Sequence, residues 1–123
     1  MLRRILIIDD EPLIRAMLWQ MLGRAGYEVE ISPNGTVGLE TCRTKEIDLV
    51  ITDIFMPEKD GLGIIKDIHK EFPLMPIIAI SGGGNVAGHP VGWLNSAAMM
   101  GVRTFKKPVD REKLLEAVHE ILE

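Results

Sequence analysis

Short apolar runs alternate five times with segments of helical periodicity, and this alternation restricts the folds open to the chain more than any other feature. The strand-like segments occupy residues 5–8, 27–31, 49–52, 77–81 and 102–105. Residues 27–31 alternate apolar and acidic side chains, which predicts a half-exposed edge strand. In the segments that follow the strands, apolar residues recur every three or four positions, which is typical of helices with one buried face. Strands and helices in strict alternation predict right-handed crossovers and an α/β fold with a doubly wound, mostly parallel sheet.

Five helices complete this pattern. We predict them over residues 13–22, 37–45, 62–72, around Trp93, and from Asp110 to residue 122, with Asp110 as the N-cap of the last. Residues 82–90 contain four glycines and a proline, which predicts a flexible loop. The expected buried face of the first helix consists of Leu13, Ile14, Met17, Leu18, Met21 and Leu22.

The bulk properties indicate one domain, residues 1–123, with no surface of its own for nucleic acid. The net charge is -4 and the pI is about 5.4, whereas nucleic-acid-binding domains are usually basic. The single cysteine, Cys42, excludes an intrachain disulfide and suits a reducing compartment. No apolar run approaches the ~20 residues of a membrane span, and no signal-peptide pattern is found at the N-terminus. We therefore expect a cytoplasmic protein that does not enter a membrane.

Polar side chains stand where four of the predicted strands end. Asp9 and Asp10 follow the first strand, Asp53 follows the third, Ser81 ends the fourth, and Lys107 comes shortly after the fifth. The carboxyl ends of parallel strands lie along one edge of the sheet, where open α/β folds carry their functional groups. We therefore expect these five residues to lie close together.

Three neighbouring carboxylates need a cation or raised pKa values. Two unit charges ~4 Å apart repel each other by about 4 kcal/mol at an effective dielectric constant of 20. Carboxylate oxygens suit Mg²⁺, which combines one or two carboxylates with waters and a phosphate oxygen. A lysine and a hydroxyl nearby could bind an anion. These parts describe metal-assisted phosphoryl transfer to a carboxylate, with Asp53 as the nucleophile. Asp9 and Asp10 could also serve as a helix N-cap, and the two roles are compatible.

Four motifs, in their order and spacing, resemble the receiver domain of two-component response regulators. They are Ile-Ile-Asp9-Asp10-Glu, Asp53-Ile-Phe-Met-Pro-x-x-Asp-Gly, Ile-Ser81-Gly and Lys107-Pro108. The resemblance covers essentially the whole chain. It implies a flavodoxin-like three-layer sandwich whose five-stranded parallel sheet has the order 2-1-3-4-5, with five helices.

The resemblance also implies a role for each motif residue. Asp53 would be the phosphoacceptor, and Asp10 and Asp53 would bind Mg²⁺, with Asp9 acting through water and the backbone carbonyl of Phe55 as a further ligand. The catalytic set would be Asp53 with two residues that contact the phosphoryl group. These two are Lys107 as its ion-pair partner, in a cis peptide bond with Pro108, and Ser81 as the switch hydroxyl.

One position departs from the family pattern. Receiver domains usually carry Tyr or Phe three residues before the lysine of the Lys-Pro pair, and here that position is Thr104. Because successive residues of a strand point to opposite faces, Phe105 should point away from the switch side. We expect no aromatic switch, and a conformational change that runs through Ser81, Thr104 and the loop at residues 82–90. That loop is longer than is usual in the family, and we expect phosphorylation to order it.

As a receiver, the chain would take a phosphoryl group from a sensor histidine kinase or a phosphotransfer protein. It would then control an output domain or effector through its fourth helix, fifth strand and last helix, where Arg103, Lys106 and Arg111 contribute basic side chains. This is a signalling switch rather than an enzyme, although it would catalyse its own phosphorylation and slow dephosphorylation. The cognate kinase, a homodimer, and the choice between a stand-alone receiver and the N-terminal domain of a longer regulator stay open.

Two other functions fit the same topology. A phosphatase with an aspartyl-phosphate intermediate usually needs a second aspartate two residues after the nucleophile, and Phe55 occupies that position. A nucleotide- or flavin-binding module would need a phosphate-binding turn after the first strand. There, Asp9, Asp10 and Glu11 would repel phosphate unless a metal intervened.

Overall fold

The computed structural model describes residues 2–54, 61–81 and 102–123. These residues form five strands and four helices, which in chain order are β1 (Arg4–Ile8), α1 (Pro12–Arg24), β2 (Glu28–Ser32), α2 (Gly35–Thr44), β3 (Leu49–Asp53), α3 (Gly61–Glu71), β4 (Ile77–Ser81), β5 (Arg103–Lys106) and α4 (Arg111–Leu122). All neighbouring strands are parallel, and the sheet order is β2-β1-β3-β4-β5. The predicted doubly wound parallel sheet is therefore confirmed, including its order.

Helices cover both faces of the sheet, which explains why the central strands are apolar on both sides. Alternate strand residues such as Ile7 and Ile51 pack against α1 and α4 in one buried cluster. The intervening residues, such as Leu6 and Val50, pack against α2 and α3 in a second cluster. The result is the three-layer sandwich that the family resemblance implied.

Two glycines let α2 lie very close to its neighbours. A Cβ atom on Gly38 would stand 2.4 Å from Cδ1 of Ile8, and one on Gly35 would stand 2.3 Å from Cδ1 of Ile64. Helix propensity alone would count Gly38 only as a residue that weakens this helix. In the structure, a side chain at either position would collide with the buried residues beneath it.

Helix ends follow the capping residues. Asp110 caps α4 as predicted, since its side chain accepts a hydrogen bond from the backbone N–H of Lys113. The Asn34 side chain caps α2 by accepting a hydrogen bond from the N–H of Val37 at 2.9 Å. That cap explains why α2 begins at Gly35, two residues earlier than predicted.

The prediction for the buried face of α1 was wrong at one residue. Leu13 is 84% exposed, whereas Leu18 and Leu22 are buried. With 3.6 residues per turn, Leu13 is rotated from Leu18 by about 140° around the helix axis, too far to reach the sheet. The helix predicted around Trp93 and the loop at residues 82–90 lie outside the described residues. Within the part of the chain that is described, no helix is long and apolar enough to cross a bilayer.

Candidate functional site

The end of β1 and the end of β3 place two aspartates side by side. Ile8 is paired with Thr52 in the sheet, so Asp9 leaves β1 beside Asp53, the last residue of β3. Both are almost completely buried, with 2% of Asp9 and 3% of Asp53 exposed. An apolar strand that ends in a buried carboxylate costs free energy unless that charge has partners.

Lys107 brings a positive charge to these aspartates. Its ammonium Nζ donates to Oδ2 of Asp53 at 3.0 Å and to Oε1 of Glu11 at 2.9 Å, and it lies 3.5 Å from Oδ2 of Asp9. The backbone N–H of Lys107 donates to the carbonyl of Ser81 at 2.7 Å, which fixes the lysine to the end of β4. Residues at the carboxyl ends of β1, β3 and β5 thus meet, as the parallel topology predicts.

Burial and charge shift two pKa values at this site. Burial raises the pKa of Asp9 from 3.8 to about 6, and the negative charge of Asp53 adds to the rise, while the hydrogen bond from the Glu11 N–H opposes it. Burial alone would lower the pKa of Lys107, but its bonds to Glu11 and Asp53 outweigh burial and raise it. Lys107 is therefore a permanent cation, and Asp9 carries a costly charge at neutral pH.

The carboxylates form a set that suits a hard divalent cation. One oxygen from each of Asp9, Asp10, Glu11 and Asp53 lies within 4.8 Å of the others. Opposite ligands of an octahedral Mg²⁺ stand about 4 Å apart, so small movements of the three aspartate side chains would adapt them to the ion, while Glu11 bonds to Lys107 at the edge of the set. The only cation that the described residues place among these four carboxylates is Lys107. The donor chemistry, the spacing and the excess of negative charge all fit Mg²⁺.

Two residues contribute to the site that the sequence reasoning did not single out. The sequence indicates Glu11 only as part of the acidic motif, yet in the structure its side chain bonds to Lys107 and not to the helix it precedes. Arg15, one turn into α1, donates from Nη1 to the backbone carbonyl of Asp9 at 2.7 Å. The signal for Glu11 was its place in the acidic run, whereas no sequence pattern linked Arg15 to Asp9.

Ser81 lies on β4, the strand next to that of Asp53, and Thr104 lies on β5, one strand further along the sheet. In the register of the sheet, Asp53 pairs with Ile80, and the buried Ser81 follows directly. Thr104 pairs with Ala79, which belongs to the cluster under α2 and α3. By the alternation of side chains along a strand, Ser81 and Thr104 therefore belong to the same face of the sheet as Ala79. Ser81 thus ends the strand next to Asp53, and the switch roles of Ser81 and Thr104 stay predictions.

Phe105 faces the other way. It is partly buried against the cluster that contains α1 and α4, on the sheet face opposite to Thr104. The expectation that Phe105 points away from the switch side is confirmed. Phe55, expected as a carbonyl ligand, lies outside the described residues. The Lys107–Pro108 peptide bond is cis, the isomer that the family resemblance implied.

Comparisons with known proteins agree with this geometry. The family model described as the response regulator receiver domain matches residues 5–119. Transcriptional regulatory protein GlrR from Escherichia coli K12 is 33% identical over 120 residues, which are 97% of this chain and 26% of that protein. The chain thus spans about a quarter of GlrR. Chemotaxis protein CheY from Thermotoga maritima is 34% identical over 121 residues, 97% of each chain.

Solved structures show the same relationship. The response regulator TrrA from Thermotoga maritima, crystallised in complex with Mg²⁺ and BeF, superposes with a TM-score of 0.84 at 30% identity. The match covers 98% of this chain and all of TrrA. The chain belongs to the response regulator receiver domain family and is homologous to CheY and to transcriptional response regulators.

Proposed function

We propose that residues 1–123 are a receiver domain that accepts a phosphoryl group on Asp53 and thereby switches between two conformations. The observation that carries this proposal is the buried Asp53 carboxylate, bonded to Lys107 at 3.0 Å and grouped with three further carboxylates. Such a group is costly for folding but useful for binding a cation and a phosphoryl group together.

The chemistry at Asp53 is nucleophilic substitution at phosphorus. A carboxylate oxygen of Asp53 forms the new O–P bond while the P–N bond of a phosphohistidine donor breaks, and the leaving imidazole nitrogen keeps the electron pair. Asp9, Asp10 and Asp53, with the carbonyl of Phe55, would hold Mg²⁺, which supplies charge neutralisation at the transferring oxygens. The product is a mixed anhydride, an aspartyl phosphate.

Lys107 and Ser81 act on the group after it arrives. The Lys107 ammonium already points at Asp53 and can pair with a phosphoryl oxygen in a charge-assisted hydrogen bond. The Ser81 hydroxyl, at the end of the adjacent strand, can donate to another phosphoryl oxygen. These contacts exist only in the phosphorylated state, so they bias a two-state equilibrium toward it. Thr104 is the neighbouring position on the same sheet face through which Ser81 would transmit the change.

The donor would be a sensor histidine kinase or a phosphotransfer protein in the cytoplasm, and the receiver would be a switch rather than an enzyme with an external substrate. The output surface would include β5 and α4, where the side chains of Arg103, Lys106 and Arg111 are exposed. Arg103 is bonded to Glu120 across this surface at 2.5 Å. An acidic chain with this arrangement is suited to a protein partner or linked output domain rather than to direct contact with nucleic acid.

Phosphorylation by a small donor tests the proposal. The protein is incubated with Mg²⁺ and acetyl phosphate, and mass spectrometry locates the added phosphate. We expect one acid-stable, base-labile phosphate on Asp53, which is absent from Asp53→Asn and without Mg²⁺. Asp67→Asn, on α3, is the matched control and should be labelled like the wild type. Labelling of Asp53→Asn at the wild-type level would refute the proposal, and steady turnover of diverse phosphate esters would favour a phosphatase.

A further inference from the structure

The ammonium of Lys107 has an outer partner as well as the inner aspartates. Its distances to Glu11 Oε1 and Asp53 Oδ2 are 2.9 Å and 3.0 Å. Exposure separates these two partners, because the side chain of Glu11 is 57% exposed and that of Asp53 only 3%. Glu11 is thus the carboxylate on the rim of the site, and Lys107 bridges the rim to the interior.

The side chain of Glu11 is not used to start the helix. Glu11 occupies the N-cap position of α1, directly before Pro12, but it makes no side-chain cap hydrogen bond. Glutamate is not among the preferred N-cap residues, which have shorter side chains that reach back to the first turn. The length of the side chain instead allows it to reach Lys107, which lies 96 positions away in sequence.

Binding of a divalent cation would disturb the inner contacts of Lys107. Asp9 and Asp53 supply oxygens both to the ammonium and to the set that could hold the ion. Glu11 lies within reach of the same set but is 57% exposed, and it is not among the proposed Mg²⁺ ligands. A doubly charged ion among these oxygens competes for them and repels a neighbouring ammonium, most strongly in the buried part of the site. Lys107 then needs an anion that is close but outside the cation's shell, or its side chain turns toward solvent.

We propose that Glu11 is a positioning residue that keeps the Lys107 ammonium at the site when Mg²⁺ occupies the aspartates. This inference rests on the proposed function, since it concerns the state that is ready to receive a phosphoryl group. Before the ion binds, Asp53 alone is enough to hold Lys107. After it binds, the bond to Glu11 holds the ammonium within reach of an incoming phosphoryl oxygen. Without Glu11, the Lys107 side chain would turn toward solvent when Mg²⁺ is bound, and it would have to return to the site for each phosphoryl transfer.

Nuclear magnetic resonance of the lysine ammonium group tests this role directly. Ammonium protons are seen when a hydrogen-bonded ion pair slows their exchange with water, and Lys107→Arg identifies the signal by its loss. In the wild type we expect the Lys107 signal both without and with Mg²⁺. In Glu11→Gln we expect it without Mg²⁺ and its loss at saturating Mg²⁺. The exposed Glu116 of α4 gives the matched control, because Glu116→Gln removes the same charge outside the site and should behave as the wild type.

A kinetic measurement complements the spectrum. Since poor placement of a reacting group slows a transfer without preventing it, acetyl phosphate should label Asp53 in Glu11→Gln about tenfold more slowly at saturating Mg²⁺. A protected Lys107 signal in Mg²⁺-loaded Glu11→Gln would overturn the role of Glu11, and so would loss of the signal from the Mg²⁺-loaded wild type. Both results leave the proposed function intact if wild-type Asp53 is still labelled. A wild type that neither binds Mg²⁺ nor is labelled would instead refute the proposed function itself.

Discussion

Replacing Asp9 with asparagine should stabilise the fold at neutral pH, because the native structure holds this carboxylate in an unfavourable position. Burial raises its pKa from 3.8 to about 6. At 1.36 kcal/mol per pH unit, this rise corresponds to about 3 kcal/mol of native-state free energy above both pKa values. In the native protein, the backbone N–H of Glu11 donates a hydrogen bond to Asp9 Oδ1 at 2.9 Å. Asparagine also has a side-chain oxygen, so Asp9→Asn would keep an acceptor for this bond.

The pH dependence follows from the direction of this pKa. The native state binds the proton more tightly than the unfolded state, so the contribution of Asp9 to stability is best below pH 3.8 and is lost as the pH rises through about 6. About 2 kcal/mol of that loss falls between pH 4.5 and 7.5. The contact of Asp9 with Lys107 at 3.5 Å is one of the interactions that set this pKa, so its loss is already part of these figures. We therefore expect Asp9→Asn to raise the free energy of unfolding by about 3 kcal/mol at pH 7.5 and by about 1 kcal/mol at pH 4.5.

Urea unfolding followed by tryptophan fluorescence measures this difference, in buffers free of divalent cations. Glu46→Gln is the control, since Glu46 is exposed and its replacement removes the same charge. The reasoning is refuted if the wild type and Asp9→Asn lose stability in parallel between pH 4.5 and 7.5. A gain in the control as large as that in Asp9→Asn would show that net charge, and not burial, is responsible.

Three further predictions concern the metal, the helix packing and a helix cap. Mg²⁺ at a hundred times its dissociation constant should raise the free energy of unfolding by about 2.7 kcal/mol. Asp10→Ala should abolish most of this gain, and calorimetric titration should show correspondingly weaker binding of Mg²⁺. Gly38→Ala should cost about 1–3 kcal/mol in urea unfolding, because its Cβ would stand 2.4 Å from Cδ1 of the buried Ile8. Gly23→Ala, with nothing within 4 Å of its Cβ, should instead stabilise the protein. Asp110→Ala should cost about 1 kcal/mol by removing an N-cap, and an unchanged melting temperature would contradict that.

The sequence predicted the elements of the site because topology turned distant positions into neighbours. Asp9, Asp53 and Lys107 each stand at or just after the end of a strand-like run, and parallel pairing places such ends on one edge. The face of Phe105 was predicted for a similar reason, since side chains alternate along a strand. These inferences needed periodicity and handedness alone, both of which are properties of the local chain.

Other features depended on contacts between elements. Leu13 belongs to an apolar repeat, yet only the position of α1 over the sheet decides which part of that repeat is buried. The role of Gly38 follows from the Ile8 side chain beneath it, which no helix propensity describes. Glu11 meets Lys107 across 96 residues, and the length of both side chains matters as much as their charge.

The sequence by itself therefore determined the sheet, its order through family resemblance, and the residue types gathered at its carboxyl edge. Hydrophobic periodicity and the handedness of crossovers indicate a parallel, doubly wound sheet, and parallel pairing gathers the ends of its strands at one edge. Only the tertiary structure decided how the charges are shared, with Lys107 bonded to Asp53 and Glu11 and with Asp9 buried beside them. The reason is that ion-pair geometry and desolvation depend on distances of a few ångströms between separate elements, which no pattern along the chain encodes.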